Sequence, residues 1–190
     1  MKDVFVHESA IVEKGAQIAE GSKIWHFSHV MPRVKMGKGC NVGQNVFIAN
    51  DVNLGNNVKI QNNVSIYTGV DCEDDTFLGP SMVFTNIINP RSGVNRKDEY
   101  LKTIVKKGAS IGANATIVCG NDIGRYSFIA AGAIVTKGVP DYALIIGSPG
   151  KIVGWMSEYG HRLEFDLDGF AFCENSGVKY KLTQGAVIKI

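Results

Sequence analysis

The stretch VKIQNNVSIYTGVDCEDDTFLGPSMVF, residues 58–84, sets an apolar side chain at every sixth position: Ile60, Ile66, Cys72, Leu78 and Phe84. Followed toward the N-terminus, the register holds without a break through Leu54, Ile48, Val42, Met36, Val30, Ile24, Ile18 and Val12. Two residues before these positions stands a small or β-branched residue, as at Ala16, Ser22, Ser28, Cys40, Val46, Val52, Val58, Val64 and Thr76. A glycine often follows, as at Gly37, Gly43, Gly55 and Gly79. The register returns at Val105, Ile111, Ile117, Ile123, Ile129 and Val135, with Ala109, Ala115, Ser127 and Ala133 two places earlier.

A hexad with one aliphatic and one small inward side chain makes a short strand and a tight turn. It cannot bury that strand alone, so copies must stack. Three hexads close one triangular coil; successive coils pair as parallel strands, and about six coils make a prism on the order of 30 Å long. Asn45, Asn50, Asp51, Asn56, Asn57, Asn62 and Asn63 fall at the corners, where turns with positive φ are needed. Neither an amphipathic helix nor a β-sandwich keeps a period of six over so many positions, so the expected fold is an all-β solenoid.

Phe84 and Val105 are 21 positions apart, which six does not divide, so TNIINPRSGVNRKDEYLKTI, residues 85–104, leaves the repeat. A polar excursion from a core that is otherwise unbroken is usually functional. Its Arg91, Arg96, Lys97 and Lys102 outnumber Asp98 and Glu99, and Lys106 and Lys107 follow. Such an edge suits a diphosphate, with solvated loop charges as the plainer alternative.

The chain has 190 residues, 45% of them hydrophobic and 20% charged, and a net charge of +2. This fits one main domain, residues 1–140, with an extension over 141–190, and argues for neither a nucleic-acid nor a membrane partner. MKDVFVHESA lacks the apolar core of a signal peptide, so the cytoplasm is the expected compartment. Cys40, Cys72, Cys119 and Cys173 form no close pair. They read as reduced thiols, without a zinc pattern and with no metal expected. The extension is expected to hold a short helix, then a β-hairpin or meander in which GFAFCENSGVKYKLTQGAVIKI turns at ENSG and QG.

Gln44, Asn45, Gln61 and Asn62 lie beside inward positions in consecutive coils, where their amides form either a polar strip reading a ligand's edges or an asparagine ladder that satisfies the turns. His26 and His29 share the segment IWHFSHV, residues 24–30. Each is a candidate base or carboxylate contact, or a coil-surface histidine with its hydrogen bonds satisfied.

The repeat resembles the hexapeptide-repeat acyltransferases, a resemblance that implies a left-handed parallel β-helix. The segments WHFSHV (25–30), GQNVFIAN (43–50), KIQNNVSIY (59–67), GPSMVFTNIINPRS (79–92) and GWMSEYG (154–160) are similar to the UDP-2-acetamido-3-amino-2,3-dideoxy-glucuronate N-acetyltransferases of surface-polysaccharide synthesis. That similarity runs from about residue 5 to about residue 160. It implies transfer of an acetyl group from acetyl-CoA to the 3-amino group of a UDP-linked amino sugar, in a homotrimer with sites between neighbouring prisms.

On that resemblance Asn86, at the exit into the loop, is the first catalytic candidate, orienting the amine or donating to the oxyanion; its plainer role is to cap its own turn. Tyr67, Arg91, Arg96 and Tyr100 join the substrate residues by analogy. Ala113, Ala131 and Gly132 leave room for a pantetheine arm, and Lys137 and Lys151 are placed to meet its phosphates. The excursion contains no histidine, which fits an amine acceptor that needs no strong base. An acceptor linked to dTDP, or a hydroxyl, keeps the fold and changes the loop. Zinc carbonic anhydrases share the solenoid but need three converging histidines, and a purely structural solenoid has no use for a cationic excursion.

Overall fold

The computed structural model describes residues 3–190. Strands of two to four residues stack into a three-faced parallel β-helix of about eight coils. The first face runs through Phe5–Val6, Lys23–Ile24, Asn41–Val42, Lys59–Ile60, Phe77–Leu78, Ser110–Ile111, Phe128–Ile129 and Ala143–Ile146. The second runs through Ile11–Val12, His29–Val30, Phe47–Ile48, Ser65–Ile66, Val83–Phe84, Thr116–Ile117 and Ile134–Val135. The third takes Gln17–Ile18, Lys35–Met36, Asn53–Leu54, Val70–Cys72 and Thr103–Val105, then continues through bridges at Ile123 and Val139. The stack exceeds six coils because it opens at Phe5, before the first hexad apolar position, and closes at Ile146, after the last.

Ile24, Val30, Val42, Ile48, Ile60, Ile66, Leu78, Ile111, Ile117, Ile123 and Ile129 are fully buried, while Val12 and Ile18 are partly open at the first coils. The small ladder is buried beside them, and its hydroxyls are satisfied. Ser28 Oγ donates to the Gly43 carbonyl at 2.7 Å and accepts from the Val46 N–H at 3.1 Å. Each coil hands its backbone N–H groups to the next, as Phe5 to the Ser22 carbonyl at 3.0 Å and His7 to Ile24 at 2.9 Å. No helix among the described residues is long and apolar enough to cross a membrane.

Only some of the corner residues take the left-handed conformation. Asn45, Asp51, Asn57 and Asn63 have φ between 56° and 65°, whereas Asn50, Asn56 and Asn62 do not. Asn56 and Asn62, each the first residue of its turn, use the side chain instead: their Oδ1 atoms accept the Lys38 and Gln44 N–H groups at 2.9 Å one coil away. A turn needs one residue with positive φ and one cap, and asparagine serves as either.

Paired positions are 18 residues apart up to Phe77, then 33 apart from Phe77 to Ser110 and from Val83 to Thr116, so one coil carries 15 extra residues. The excursion ends earlier than the repeat suggests, because Thr103 and Ile104 already pair with Val70 and Asp71. It holds one turn of 3-10 helix, Lys97–Glu99.

The expected short helix of the extension is absent. The turn at residues 147–150 folds Lys151–Trp155 back as an antiparallel strand on Ala143–Ile146, so the backbone groups of the last coil find partners there. The solenoid therefore runs past residue 140. The meander forms as read, Phe170–Cys173, Val178–Thr183 and Ala186–Lys189, with Gln184 and Gly185 both at positive φ in the second turn. Its inner face packs Ala171, Cys173, Tyr180 and Val187 with Leu163, and Trp155 bridges this cluster to the prism core.

Candidate active site

The second face and its two flanking corners gather most of the residues singled out in the sequence. Its outward column, in register, is Ile11, His29, Phe47, Ser65, Val83, Thr116 and Ile134. The corner shared with the first face carries His26, Gln44, Asn62, Ala113 and Ala131, at equivalent places in their coils, with Asn45 and Gly132 one residue on and Gln61 one residue before. The corner shared with the third face carries Tyr67, Asn86 and Lys137.

Asn86 stands where the excursion leaves the prism, two residues beyond Phe84. Its carbonyl accepts the Leu101 N–H at 3.0 Å, and Thr85 Oγ1 accepts the Cys119 N–H at 3.0 Å from the next coil. These bonds close the neck of the loop, while Leu101 lies against Gly69 and Gly120. Above the neck Asn86, Arg91, Val94, Arg96, Lys97 and Tyr100 help line a cleft of about 820 Å³.

The cationic edge is partly neutralised within the chain. Arg96 Nη1 donates to Glu99 at 2.9 Å, and Lys107 lies 4.0 Å from Asp75. Arg96 Nε is buried within the loop and meets no acceptor among the described residues. Arg91, Lys97 and Lys102 remain exposed.

The amides divide by role. Asn62 Oδ1 accepts the Gln44 N–H, and Asn45 Nδ2 donates to Asn63 Oδ1 at 3.0 Å, so both belong to the corner ladder. Gln44 is exposed and Gln61 half-buried.

The two histidines lie far from the loop along the prism. From His29 the register climbs through Phe47 and Ser65 to Val83, three coils, or about 14 Å at the usual strand spacing. His26 sits at the same level and stacks on His7, ring centroids 3.5 Å apart. His29 Nε2 meets Glu13 Oε1 at 2.7 Å, with both side chains a little over a third exposed. Phe47 meets the His29 ring at 5.7 Å and the Tyr67 ring at 6.4 Å, so a half-buried aromatic stripe climbs toward Asn86. The sequence reading did not single out Glu13 or Phe47. Adding one coil length to His29 gives Phe47, so the period itself held the signal.

Toward the C-terminal coils the first corner narrows to small residues. A Cβ on Gly132 would meet nothing within 4 Å, and Ala131 is exposed. Lys137 lies across the second face from them, and Lys151 pairs with Ile146 on the returning strand. Among the described residues no three His, Cys, Asp or Glu side chains gather at metal-binding spacing. All four cysteines are free and buried.

Comparison with known proteins bears directly on this arrangement. Residues 15–50 match the family described as bacterial transferase hexapeptide (six repeats), and residues 33–68 and 102–137 match the hexapeptide repeat of succinyl-transferase. The chain is 45% identical over 186 residues to the dTDP-3-amino-3,6-dideoxy-alpha-D-galactopyranose 3-N-acetyltransferase of Aneurinibacillus thermoaerophilus, covering 98% of this chain and 95% of that one. Two solved structures share the fold. A hexapeptide-repeat acetyltransferase of Vibrio cholerae, complexed with acetyl coenzyme A, aligns with a TM-score of 0.57 at 23% identity, over 64% of this chain and 70% of that one. A variant of perosamine N-acetyltransferase from Caulobacter crescentus, in complex with CoA and GDP-perosamine, aligns with a TM-score of 0.51 at 21% identity, over 80% and 58%.

Proposed function

The chain belongs to the hexapeptide-repeat acetyltransferases, and on that premise we propose that it acetylates the 3-amino group of a dTDP-linked 3-amino-dideoxyhexose, working as a homotrimer. The observation that carries this reading is the 45% identity over nearly the whole chain to an enzyme named for that acceptor class. It displaces the UDP-linked uronate as first choice. The uronate stays as the second reading because the loop offers exposed Arg91 and Lys97, cationic donors that fit a sugar carboxylate.

The enzyme uses acetyl-CoA. In the proposed step the neutral amine attacks the thioester carbonyl carbon, the C–N bond forms, and the oxygen becomes an oxyanion before the C–S bond breaks. Asn86, at the loop neck, is positioned to hold the amine or to donate to that oxygen. The proton lost from nitrogen passes to the departing CoA sulfur, which leaves as the thiol. A sugar amine is less basic than lysine, so part of it is neutral near pH 7 without a base. With the amine held at Asn86, this step assigns no proton transfer to His26 or His29, which stand three coils away in the same chain. We assign the pantetheine arm to the corner of Ala113, Ala131 and Gly132, with Lys151 for the CoA phosphates and Lys137, across the second face, reached only by a cofactor that spans it.

Thiol release from acetyl-CoA, measured with dTDP-linked 3-amino-dideoxyhexoses beside the UDP-linked 3-amino uronate, tests the reading. Turnover of the dTDP-linked amine is expected. Turnover of the uronate alone moves the assignment to the second reading, and no turnover with any nucleotide-linked amine removes both.

A further inference from the structure

We propose that the second face below Asn86 seats the nucleotide of the acceptor, with Phe47 as the platform for a pyrimidine base and Glu13, oriented by His29, as acceptor for the N–H on the base's polar edge. The inference rests on the reading of the acceptor as a nucleotide-linked sugar.

Distance comes first. If the sugar amine reacts at Asn86, the remainder of an extended nucleoside diphosphate sugar must lie along the prism, and three coils, about 14 Å, are available before His29. A pentose and a diphosphate occupy such a length, which brings the base to the level of Phe47 and His29. Ser65, between Phe47 and Val83 in the column, is small and leaves the intervening level open.

Rigidity is the second point. Phe47 packs on the prism core on one side and is held edgewise between the His29 and Tyr67 rings, so its half-buried plate cannot swing away. A fixed aromatic plate stacks on a base without needing to be ordered by it.

The third is polarity. Below this plate, reached through the His29 ring that meets Phe47, the face carries a polar pair, the Glu13 carboxylate bound by His29 Nε2 at 2.7 Å. Thymine and uracil both present an N–H between two carbonyl oxygens. A carboxylate held on the far side of His29, whose ring centroid lies 5.7 Å from that of Phe47, accepts from that N–H when the base overhangs the plate toward His29, and its histidine partner keeps it from rotating into solvent.

The test compares Phe47→Ala and Glu13→Ala with a control, Phe172→Ala, in the exposed tail. For the two face variants the acceptor KM is expected to rise about tenfold or more, with kcat within about threefold and the acetyl-CoA KM unchanged. Inhibition by free dTDP should weaken by the same factor, and calorimetry with dTDP alone should show the same loss without any turnover. The control should match the wild type. Wild-type binding of dTDP that survives Phe47→Ala overturns the platform, as does a KM change with no change in dTDP affinity. A wild type that turns over no nucleotide-linked amine but still binds dTDP through Phe47 would separate failure of the acceptor assignment from failure of the platform.

Discussion

The Leu101 N–H meets the Asn86 carbonyl at 3.0 Å, so the excursion leaves and rejoins the prism at one point. The Asn86 side chain therefore projects from a closed neck, and its backbone is held whether or not a ligand is present. Asn86→Ala is expected to leave the circular dichroism spectrum unchanged and to lower kcat about a hundredfold, the usual loss for a missing oxyanion donor. Stopped-flow thiol release measures this. A loss confined to KM would make Asn86 a binding residue only.

The height of the histidines gives a second expectation. Removal of a true general base costs on the order of 10² to 10⁴ in rate. With the reaction proposed at Asn86, His26, stacked on His7 three coils below the loop neck, would do no such work. His26→Asn should keep kcat within about threefold, and its kcat against pH should follow the wild-type curve. A hundredfold loss with the fold intact would bring the histidine back into the chemistry.

The period of six was legible because one aliphatic ladder serves all three faces, so the chain repeats its burial pattern regardless of corner or ligand. What lay across coils was harder to read. Glu13 and His29 are 16 residues apart and meet only because a coil is 18 residues long. The returning strand Lys151–Trp155 was equally hidden, since a short apolar run reads as helix or strand until it is known that the last coil leaves backbone groups to be paired. The separation of the asparagines into left-handed residues and caps depends on which turn position each takes, and composition does not carry that.

The tail is tied down by a proton-sensitive cluster. Tyr142 donates to Glu158 Oε1 at 3.2 Å, the Glu158 N–H donates to Tyr180 Oη at 2.9 Å, and Lys189 Nζ donates to Glu158 Oε2 at 2.7 Å. Burial holds the Tyr142 and Tyr180 phenols above their ordinary value, with the Glu158 charge adding to both, and the Glu158 carboxylate raises Lys189. All three groups bind protons more tightly in the folded chain. Their contribution is thus complete below the ordinary values, 10.0 for tyrosine and 10.5 for lysine, and is lost as pH rises through the raised ones. Near-ultraviolet dichroism should therefore report a loosened tail above about pH 10 while the far-ultraviolet signal of the solenoid persists. Simultaneous loss of both would mean that tail and prism unfold as one unit.

The cysteines report the same event chemically. Burial pushes the Cys72 thiol up to about 12, and Cys40 is raised for the same reason. Hydrogen bonds from Ser157 and Ser176 lower Cys173, which is buried in the small tail cluster with Leu163 and Tyr180 rather than in the prism core. Ellman's reagent at mildly alkaline pH should modify Cys173 first and leave Cys40 and Cys72 silent until global unfolding. Mass spectrometry of the labelled chain would assign the order, and early labelling of Cys72 would show that the prism opens before the tail.

Two glycines separate the cost of close stacking from the cost of backbone conformation. A Cβ at Gly55 would lie 2.5 Å from the Asp74 nitrogen in the next coil, and no side-chain rotation relieves a clash with backbone. Gly39 has open space around its Cβ position but a φ of 65°, which penalises any L residue. Gly55→Ala must therefore push two coils apart, an overpacking cost of about 1–3 kcal/mol, whereas Gly39→Ala bears only the left-handed penalty of about 1–2 kcal/mol. Urea unfolding of the two variants should rank Gly55→Ala as the less stable, with the m-value unchanged for Gly39→Ala. The reverse order would mean that the coils have slack at this corner, and that the glycines after the inward positions are there for the turn rather than for the approach of the neighbouring coil.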